Sequence, residues 1–481
     1  MKRAWSRKNL WERSPRWLKR VVGAGLGAVP LSWILGRRFR ERYRFVMSAQ
    51  RWSPGRVRAY QVEQLKRILT LAYERTSYYR RTFDEAGFDP HGLREPEDLR
   101  RLPTIDRTTL TEHLGDMLTC DAGSPGVDYV TTGGTSGSPL AFYIGAGRSS
   151  LEYAHLTAAW SRVGFSPGDT LAVFRGRIVS EGGAGLRHEY DPLLRQHFYS
   201  AFHLTDEMMA RYVEHVRGIG RCFLHVYPSS ADALARFIRR CGVRPPDNIR
   251  GILAESEIVY PEQRRLSEDV FQCRYFSCYG HTEKLVLAAE CEHSTDDHVD
   301  PFYGYAELLD ESGRPITEAG RRGEIVGTGY INTVVPFIRY RTGDFAELAG
   351  EGCAACGRAY LRLRGIAGHR TQEMLIASDG SAIAWTAVNM HDDTFDRVRR
   401  FQFHQRRPGQ AVLRIVPAAG FGPADLRRIR EHLGRKLSGR LTIEPEVCED
   451  IPLTARGKAT YVVADFEEAG TCASTHSTSS R

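Results

Sequence analysis

Apolar residues recur at helical spacing between Gln61 and Phe83. They stand three or four positions apart at Leu65, Ile68, Leu69, Leu71, Ala72 and Tyr79. This spacing places them on one face of a helix, and the helix-ending residues Gly87 and Pro90 follow. The pattern predicts a single helix that buries one face and ends in a loop.

From about residue 125, short apolar runs alternate with helical patterns. The predicted strands are Leu171–Phe174, Phe223–Tyr227 and Ile249–Leu253. The predicted helices are Ser150–Arg162 and Ser229–Cys241. Because such alternation is typical of a sheet covered by helices, it predicts an α/β fold. A strand-rich section follows, with Tyr305–Asp310, Gly323–Tyr330 and Asp344–Leu348.

After about residue 370 the pattern changes to a smaller α+β unit. Its predicted elements are Met374–Ile376, Arg400–His404, Ala411–Val416, the helix Pro423–Leu437 and Leu441–Val447. The length of this unit lies within the normal range of a domain. The final residues, 470–481, are rich in Ser and Thr without apolar periodicity, and they predict a disordered tail.

Charge is distributed unevenly along the 481 residues. The net charge is +9, but residues 1–50 hold thirteen Lys and Arg against two acidic residues, so the other 431 residues sum to −2. With 42% hydrophobic and 26% charged residues, the composition is that of a globular protein, which excludes disorder of the whole chain. The basic balance therefore belongs to one terminal segment and gives no support for a nucleic-acid partner.

The basic segment also contains an uncharged run, Val21 to Gly36, which Pro30 interrupts. A membrane-spanning helix needs about 20 apolar residues, so this run is too short. Two interpretations stay open for residues 1–50: a surface helix that contacts anionic lipid, and a segment that packs on the body. Ten mostly scattered cysteines without a clear export signal favour a cytoplasmic protein, at most peripheral at the inner membrane surface.

The strongest local motif is Thr131-Thr132-Gly133-Gly134-Thr135-Ser136-Gly137-Ser138-Pro139. Glycines adopt backbone conformations that other residues avoid, so backbone N–H groups and hydroxyls in such a loop can surround a phosphate. The motif is not a Walker A loop, because no Gly-Lys-Ser/Thr follows. Taken alone, it is equally compatible with a flexible surface turn.

Three further motifs follow at increasing positions. Tyr279-Gly280-His281-Thr282-Glu283 offers an aromatic ring for stacking and a carboxylate suited to Mg²⁺. Tyr340-Arg341-Thr342-Gly343-Asp344 places an acid on a predicted turn, where it could accept hydrogen bonds from ribose hydroxyls or simply cap the turn. Arg456-Gly457-Lys458 lies on the small unit, either as a solvated loop or as a source of positive charge for a phosphoryl group.

Together, these four motifs in this order resemble those of the adenylate-forming superfamily of acyl-CoA synthetases. Over about residues 50–465 the chain is most similar to the phenylacetate-CoA ligase family and its CapK-like branch, which acts in capsule and polysaccharide biosynthesis. The resemblance implies a large N-terminal domain of layered sheets and helices with a small mobile C-terminal domain. We therefore predict a basic segment 1–50, a large domain 51–370, a small domain 371–466 and a tail 467–481.

The resemblance also implies residue roles. Thr131, Thr132, Gly133, Gly134, Thr135, Ser136, Gly137 and Ser138 would surround the ATP phosphates, with Thr135 a hydroxyl donor in catalysis. Tyr279 would flank the adenine, and Glu283 would hold Mg²⁺. Gly280, His281 and Thr282 would also belong to the nucleotide-binding site. Asp344 and Arg370 would contact the ribose, with Arg358 as a further contact. Lys458 would promote adenylate formation, and the small domain would rotate about residues 370–373.

The implied reaction joins a carboxylic acid to ATP and transfers the acyl group from the acyl-adenylate to coenzyme A. Two alternatives stay open: an amide synthetase that uses an amine or amino sugar as acceptor, and a non-catalytic scaffold on the same fold. Retention of Glu283, Asp344 and Lys458 argues against a scaffold. The oligomeric state stays open between monomer and homodimer.

Cysteines at two places could form a metal site. Cys291-Glu292-His293 and Cys353-Ala354-Ala355-Cys356 together supply four nitrogen and sulfur ligands, the number that a closed tetrahedral Zn²⁺ site requires. We predict structural zinc on Cys291, His293, Cys353 and Cys356, and similar cysteines occur in parts of the family. The alternative is a set of reduced thiols beside a surface turn.

The resemblance places the acid pocket near 153–160, 174–177, 227–229 and 254–256. Phe174, Tyr153 and Trp160 suit an aromatic or apolar acid. A second set of side chains could instead meet a polar or second acidic group: Arg175, Arg177, His188 and His225.

Overall fold

The computed structural model describes residues 29–131, 140–177, 179, 185–367, 374–384, 388, 393–395, 397–437, 439–451 and 461–465, with Ser14, Val22 and Gly25. Its helices are α1 Leu31–Ile34, α2 Gly36–Ala49, α3 Pro54–Arg75, α4 Ser77–Glu85, α5 Arg107–His113, α6 Arg148–Trp160, α7 Asp206–Gly218, α8 Pro228–Cys241, α9 Pro261–Phe271 and α10 Pro423–Leu437. Short 3-10 turns lie at Pro90–Gly92, Pro96–Arg101, Gly115–Met117, Ser161–Val163 and Asp393–Phe395.

The strands divide between a large sheet and three smaller ones. Those before residue 300 are β1 Val127–Thr131, β2 Ala141–Gly145, β3 Thr170–Arg175, β4 His188–Asp191, β5 Gln196–Ser200, β6 Cys222–Val226, β7 Ile249–Glu255, β8 Tyr275–Gly280, β9 Leu287–Ala289 and β10 Asp297–Val299. The remainder are β11 Gly304–Leu309, β12 Arg322–Gly329, β13 Tyr340–Glu351, β14 Leu361–Ala367, β15 Met374–Ile376, β16 Ala382–Ala384, β17 Val398–Arg407, β18 Gln410–Pro417, β19 Thr442–Val447 and β20 Val462–Ala464.

The segment predicted as a single helix between Gln61 and Phe83 consists of two helices. Thr76 has an extended backbone, and its side-chain oxygen accepts a hydrogen bond from the backbone N–H of Tyr79, so Thr76 is the N-cap of α4. Such a cap satisfies an N–H group that has no partner within the helix, and it favours a new start over continuation. The apolar spacing was right about the buried face, but it did not reveal the break.

The second half of the basic segment packs on the body. Helix α2 lies against α6, and its Phe39, Val46 and Ala49 are buried. The Phe39 ring meets the Tyr153 ring of α6 at a centroid distance of 5.8 Å. The packing interpretation is therefore confirmed for residues 36–49. Within the described residues, no helix combines the length and the apolar character needed to cross a membrane.

The large sheet has twelve strands in the order β11-β12-β13-β14-β10-β9-β8-β7-β6-β3-β5-β4. Strands β5, β3, β6, β7 and β8 run parallel, with β4 antiparallel at the edge. The other half, from β9 to β11, is antiparallel throughout. The predicted α/β class is confirmed, and the strand-rich section forms the antiparallel half of this one sheet.

The two faces of the parallel half carry different apolar clusters. Residues of α7, α8 and α9 pack on one face, where Phe174 of β3 stacks on Tyr199 of β5 with ring centroids 4.6 Å apart. On the other face, Trp160 of α6 packs with Phe198 and Phe223. Successive side chains of a strand alternate between faces, so neighbours such as Phe174 and Arg175 face opposite sides.

The C-terminal unit has a four-stranded sheet in the order β19-β18-β17-β20 and a separate β15-β16 hairpin. Helix α10 buries Ile429, Leu433 and Leu437 in the cluster that also contains Phe401 and Leu413. The predicted α+β character is thus confirmed. The tail 467–481 lies outside the described residues.

Candidate active site

Two residues from separate motifs meet beside the end of β8. The hydroxyl of Tyr279 donates a hydrogen bond to Oδ2 of Asp344 at 2.8 Å. Burial and the Asp344 carboxylate both raise the pKa of Tyr279 well above its ordinary value, so the hydroxyl stays protonated. Tyr279 comes from the last parallel strand, and Asp344 comes from antiparallel β13. The pair therefore connects the parallel half of the sheet to a strand well inside the antiparallel half.

Asp344 does not lie on a turn after a strand, as the sequence predicted, but inside β13. The pairing of β13 with β12 is irregular here, because Arg341 and Phe345 pair with Val326 and Glu324. This leaves a bulge that contains Gly343, whose φ of +74° favours glycine. The Gly343 N–H donates to Oε1 of Glu324 at 3.0 Å, which holds the bulge in place.

Glu283 is a buried carboxylate on the turn after β8. Burial acts to raise its pKa, but the His281 ring and the charge of Arg107 outweigh burial and lower it. Nδ1 of His281 lies 3.4 Å from Oε2 of Glu283. Glu283 therefore stays ionised and offers the hard oxygen ligand that Mg²⁺ prefers.

His281 supplies a test of fit for a nucleotide. Both of its ring nitrogens are buried; Nδ1 lies 3.4 Å from Glu283, and Nε2 has no hydrogen-bond partner within the described part of the chain. Buried polar atoms without partners are costly, and they commonly mark a missing ligand. The unpaired Nε2, the ionised Glu283 and the Tyr279–Asp344 pair fit an ATP–magnesium complex. Gly280 ends β8 and Thr282 follows His281, so the whole motif lies at this position.

Several predicted site residues lie outside the described residues: Thr132, Gly133, Gly134, Thr135, Ser136, Gly137, Ser138, Arg370 and Lys458. The predicted hinge at residues 371–373 lies outside them too. Of the phosphate-loop residues assigned to ATP, the described one is Thr131, which is buried at the end of β1. The assigned roles of all these residues stay predictions.

The carboxyl ends of β3, β6 and β7 carry a polar cluster. Arg175 bonds Nε2 of His225 at 2.7 Å, the hydroxyl of Ser256 at 2.7 Å and Glu255 at 2.9 Å, and His225 also bonds Glu255. Burial would raise the pKa of Glu255, but Arg175 and His225 lower it to about 2. Crevices at the carboxyl ends of parallel strands are the usual ligand sites of α/β sheets.

This cluster corrects two pocket assignments. Phe174 points to the opposite face of the sheet, where it stacks on Tyr199, and it cannot line the pocket. His188 also faces that side, since it lies beside His197 and His215. Trp160 does belong to the polar side, with its ring 5.1 Å from that of His225. Phe174 and Arg175 are neighbours in β3 and therefore face opposite sides of the sheet, so they cannot both line one pocket.

A second cluster brings together Cys291, His298, Cys353 and Cys356, whose ligand atoms all lie within 4.8 Å of one another. The prediction was wrong in one member, because His293 is exposed and lies outside the group. His298 takes its place since β10 is paired between β9 and β14, and β14 follows the Cys353–Cys356 turn. His293 contributes only its backbone N–H, 3.4 Å from Sγ of Cys291.

The surroundings of the cluster suit metal binding. Nδ1 of His298 is 2.9 Å from the carbonyl oxygen of Asp296, which leaves Nε2 facing Sγ of Cys356 at 3.6 Å. Metal-binding histidines usually have their second nitrogen held in this way. Arg358 is also part of this region and not of the nucleotide site, because it bonds both oxygens of Glu292 at 2.6 and 2.7 Å and contacts Gln50.

Two features of the sites were missed in the sequence. His298 stands in a short strand between acidic residues, and its distance of seven positions from Cys291 matches no common ligand spacing. The ion pair of Arg175 with Glu255 depends on two strands that β6 separates. A signal existed for the second feature, because Arg175 and Glu255 are charged residues that each end an apolar strand.

Comparison with known proteins supports one family. The phenylacetate-coenzyme A ligase of Thermus thermophilus is 30% identical over 328 residues, which covers 67% of this chain and 72% of that protein. Protein CapK of Staphylococcus aureus is 22% identical over 256 residues, covering 53% and 55%. Residues 375–465 match the CapK C-terminal domain.

A solved structure of 2-hydroxyisobutyryl-CoA ligase, with 2-HIB-AMP and CoA in the thioesterification state, superposes with a TM-score of 0.55. It is 22% identical, and the match covers 86% of this chain and 91% of that chain. The likeness extends over both the large sheet and the C-terminal unit, so it supports the predicted adenylate-forming fold. The chain belongs to the phenylacetate-coenzyme A ligase family, and it has a C-terminal domain of the CapK type.

Proposed function

We propose that this protein is an ATP-dependent acid ligase that forms an acyl-adenylate and transfers the acyl group to coenzyme A. The observation that carries the proposal is the Tyr279–Asp344 hydrogen bond beside the ionised Glu283. These residues come from two motifs of the family, and two of the three proteins compared above are named as CoA ligases. The same geometry has no evident purpose in a scaffold.

In the first step, a carboxylate oxygen of the acid attacks the α-phosphorus of ATP, and the bond to the leaving pyrophosphate breaks. We assign the adenine to the Tyr279 side of the site and the ribose hydroxyls to Asp344, with Arg370 close to them. Thr131–Ser138 would bind the phosphates, and Lys458 would stabilise the developing negative charge. In the second step, the CoA thiol attacks the acyl carbon and AMP leaves.

Glu283 would hold Mg²⁺. The ion, when bound, neutralises charge on the ATP phosphates. What the chain itself contributes is a carboxylate that stays ionised despite burial, with His281 directly beside it. Nε2 of His281, which is buried and unpaired among the described residues, would donate to a phosphate or to a bound water.

The test is acid-dependent exchange of labelled pyrophosphate into ATP. We expect wild-type exchange and a loss of about a hundredfold or more in Lys458→Ala, since one charge that acts in the transition state is removed. Lys66→Ala, on helix α3, is the control and should exchange normally. Normal exchange in Lys458→Ala would refute the role of Lys458, and no exchange with any acid by the wild type would favour a scaffold.

The acceptor is tested by product analysis. CoA thioester should form when the enzyme receives ATP, acid and CoA, whereas amines and amino sugars in place of CoA should give no amide above background. An amide product would instead support the amide synthetase. The CapK match alone does not separate the two, because it concerns the C-terminal domain.

For the acid, we propose a substrate with a hydrogen-bonding group in addition to its carboxylate. The support is the cluster of Arg175, His225, Glu255 and Ser256 at the carboxyl ends of β3, β6 and β7. Ser256 has a φ of +75°, a strained conformation that functional sites often retain. In a panel of acid pairs that differ by one hydroxyl or amide, the polar member should have the higher kcat/KM, by about tenfold. A consistent preference for the apolar member would refute this.

We also propose that Cys291, His298, Cys353 and Cys356 hold a structural Zn²⁺ ion. Four protein ligands complete a tetrahedral shell and leave no open position, so the ion would stabilise the fold without entering the reaction. The support is the close grouping of the four side chains and the fixed orientation of His298. Metal analysis of purified protein should find at least one zinc per chain, and a content well below one would refute the assignment.

A further inference from the structure

Three histidines meet on the face of the large sheet opposite the acid pocket. They are His188 on β4, His197 on β5 and His215 on α7, and one ring nitrogen of each lies within 4.8 Å of those of the other two. Nε2 of His188 and Nδ1 of His197 form a hydrogen bond at 3.0 Å, which a bound ion would replace. Nitrogen ligands about 2.0–2.1 Å from one ion stand at a similar separation, so the two rings are already placed as a pair of ligands would be.

The three rings are held by packed elements. Tyr199, which is fully buried, is two residues from His197 on the same strand and face, and it stacks on Phe174. Its hydroxyl is 2.8 Å from Nδ1 of His215, so Nε2 of His215 is the nitrogen left for another partner. A hydrogen bond to the second ring nitrogen is the usual way in which a metal-binding histidine is oriented.

We propose that His188, His197 and His215 form a binding site for a divalent transition-metal ion such as Zn²⁺, Co²⁺ or Ni²⁺. Neutral imidazoles are good ligands for these ions. Within the described residues the group has three members and includes no carboxylate or thiol. Three nitrogen ligands leave at least one coordination position for water, so the site differs from the closed cysteine cluster.

The three histidines lie on an edge strand, its neighbour and a covering helix, so metal binding would affect stability. β4 is the edge strand of the twelve-stranded sheet and pairs there with β5 alone. His215 is on a different element, whose Met209, Tyr212 and Val213 pack on the sheet. A bound ion would connect the edge strand to the helix that covers it. Binding should therefore raise the thermal unfolding midpoint.

The test uses full-length protein that retains its tightly bound metal but has been freed of exchangeable ions on a chelating resin. Co²⁺ is then added, and binding is followed by calorimetry and visible absorption. We expect one equivalent to bind with the spectrum of nitrogen and oxygen ligands, without the thiolate charge-transfer band that the cysteine cluster would give. His197→Gln and His215→Gln should weaken this binding at least about tenfold.

His91→Gln, which removes an exposed histidine outside the group, is the matched control and should bind Co²⁺ as the wild type does. If either variant unfolds, His188→Gln and the wild-type titration still decide the question. The proposal is refuted if the wild type binds no exchangeable Co²⁺. It is equally refuted if the folded variants bind as tightly as the wild type, or if the bound ion shows the thiolate band.

Discussion

Two clusters, only some ten residues apart along the chain, differ in nearly every physical respect. Around Tyr279, His281 and Glu283, side chains project from a strand end and the turn after it, and Nε2 of His281 is unpaired among the described residues. Around Cys291 and His298 the neighbouring polar groups are mutually bonded, as in the Arg358–Glu292 pair. The first arrangement suits the reversible binding of a ligand, and the second suits a structural site that holds strands together. Substitutions should separate the two: loss of activity without loss of stability in one, and the reverse in the other.

Glu283→Gln should have the largest effect on activity. The change keeps the shape of the side chain but removes the charge that is proposed to hold Mg²⁺, so pyrophosphate exchange should fall by about a hundredfold or more. The unfolding midpoint should fall only slightly, because the variant keeps the side-chain shape and loses only the stabilisation that the lowered pKa of Glu283 reflects. Exchange rates and thermal unfolding of the same preparation measure both. Near-normal exchange would contradict the proposed role of Glu283.

Cys356→Ser and His298→Ala should show the opposite behaviour. Each removes one ligand of the proposed zinc site, and we expect a loss of about 2 kcal/mol or more in unfolding free energy, together with the zinc. Exchange activity per folded molecule should stay within about threefold of the wild type.

His293→Ala is the matched control for His298→Ala, because it lies near the same cysteine but is exposed. It should retain both zinc and stability. If His293→Ala loses zinc and His298→Ala retains it, the ligand set described above is wrong. Zinc content and denaturant unfolding of the three variants give the answer.

Tyr279→Phe should have a moderate effect that is confined to the nucleotide site. It removes the hydroxyl that bonds Asp344 but keeps the ring, and a buried hydrogen bond contributes about 1 kcal/mol. We expect the KM for ATP to rise about fivefold, with a smaller change in the KM for the acid. A larger change for the acid than for ATP would place Tyr279 in the acid pocket instead.

Sequence reasoning predicted well those parts of the fold that depend on residues close together along the chain. The alternation of strands and helices and the α+β pattern after residue 370 can be read along the chain, and so can the motifs at strand ends. The errors arose where the position of a residue depends on pairing between strands that are far apart in the sequence. His298 joins the cysteines only because β10 lies between β9 and β14, and no spacing along the chain encodes that neighbour. The bulge at Gly343 likewise exists only in the pairing of β13 with β12.

The smallest effect is expected from removal of residues 1–28. The buried residues of α2 all lie between 39 and 49 and stay in place, so we expect stability and exchange activity close to the wild-type level. Removal of residues 1–49 is the contrasting variant, because it deletes Phe39 and Val46 from the interior and should lower the unfolding midpoint.

If the first 28 residues contact membranes, the full-length protein should co-sediment with vesicles that contain anionic lipid and less so with neutral ones. The 1–28 deletion removes eight of the thirteen basic residues of the segment, so it should lose most of that binding at low salt. Equal sedimentation of the two proteins would leave this stretch without a membrane role. A loss seen only on removal of 1–49 would instead be attributed to unfolding, which the unfolding midpoint measures directly.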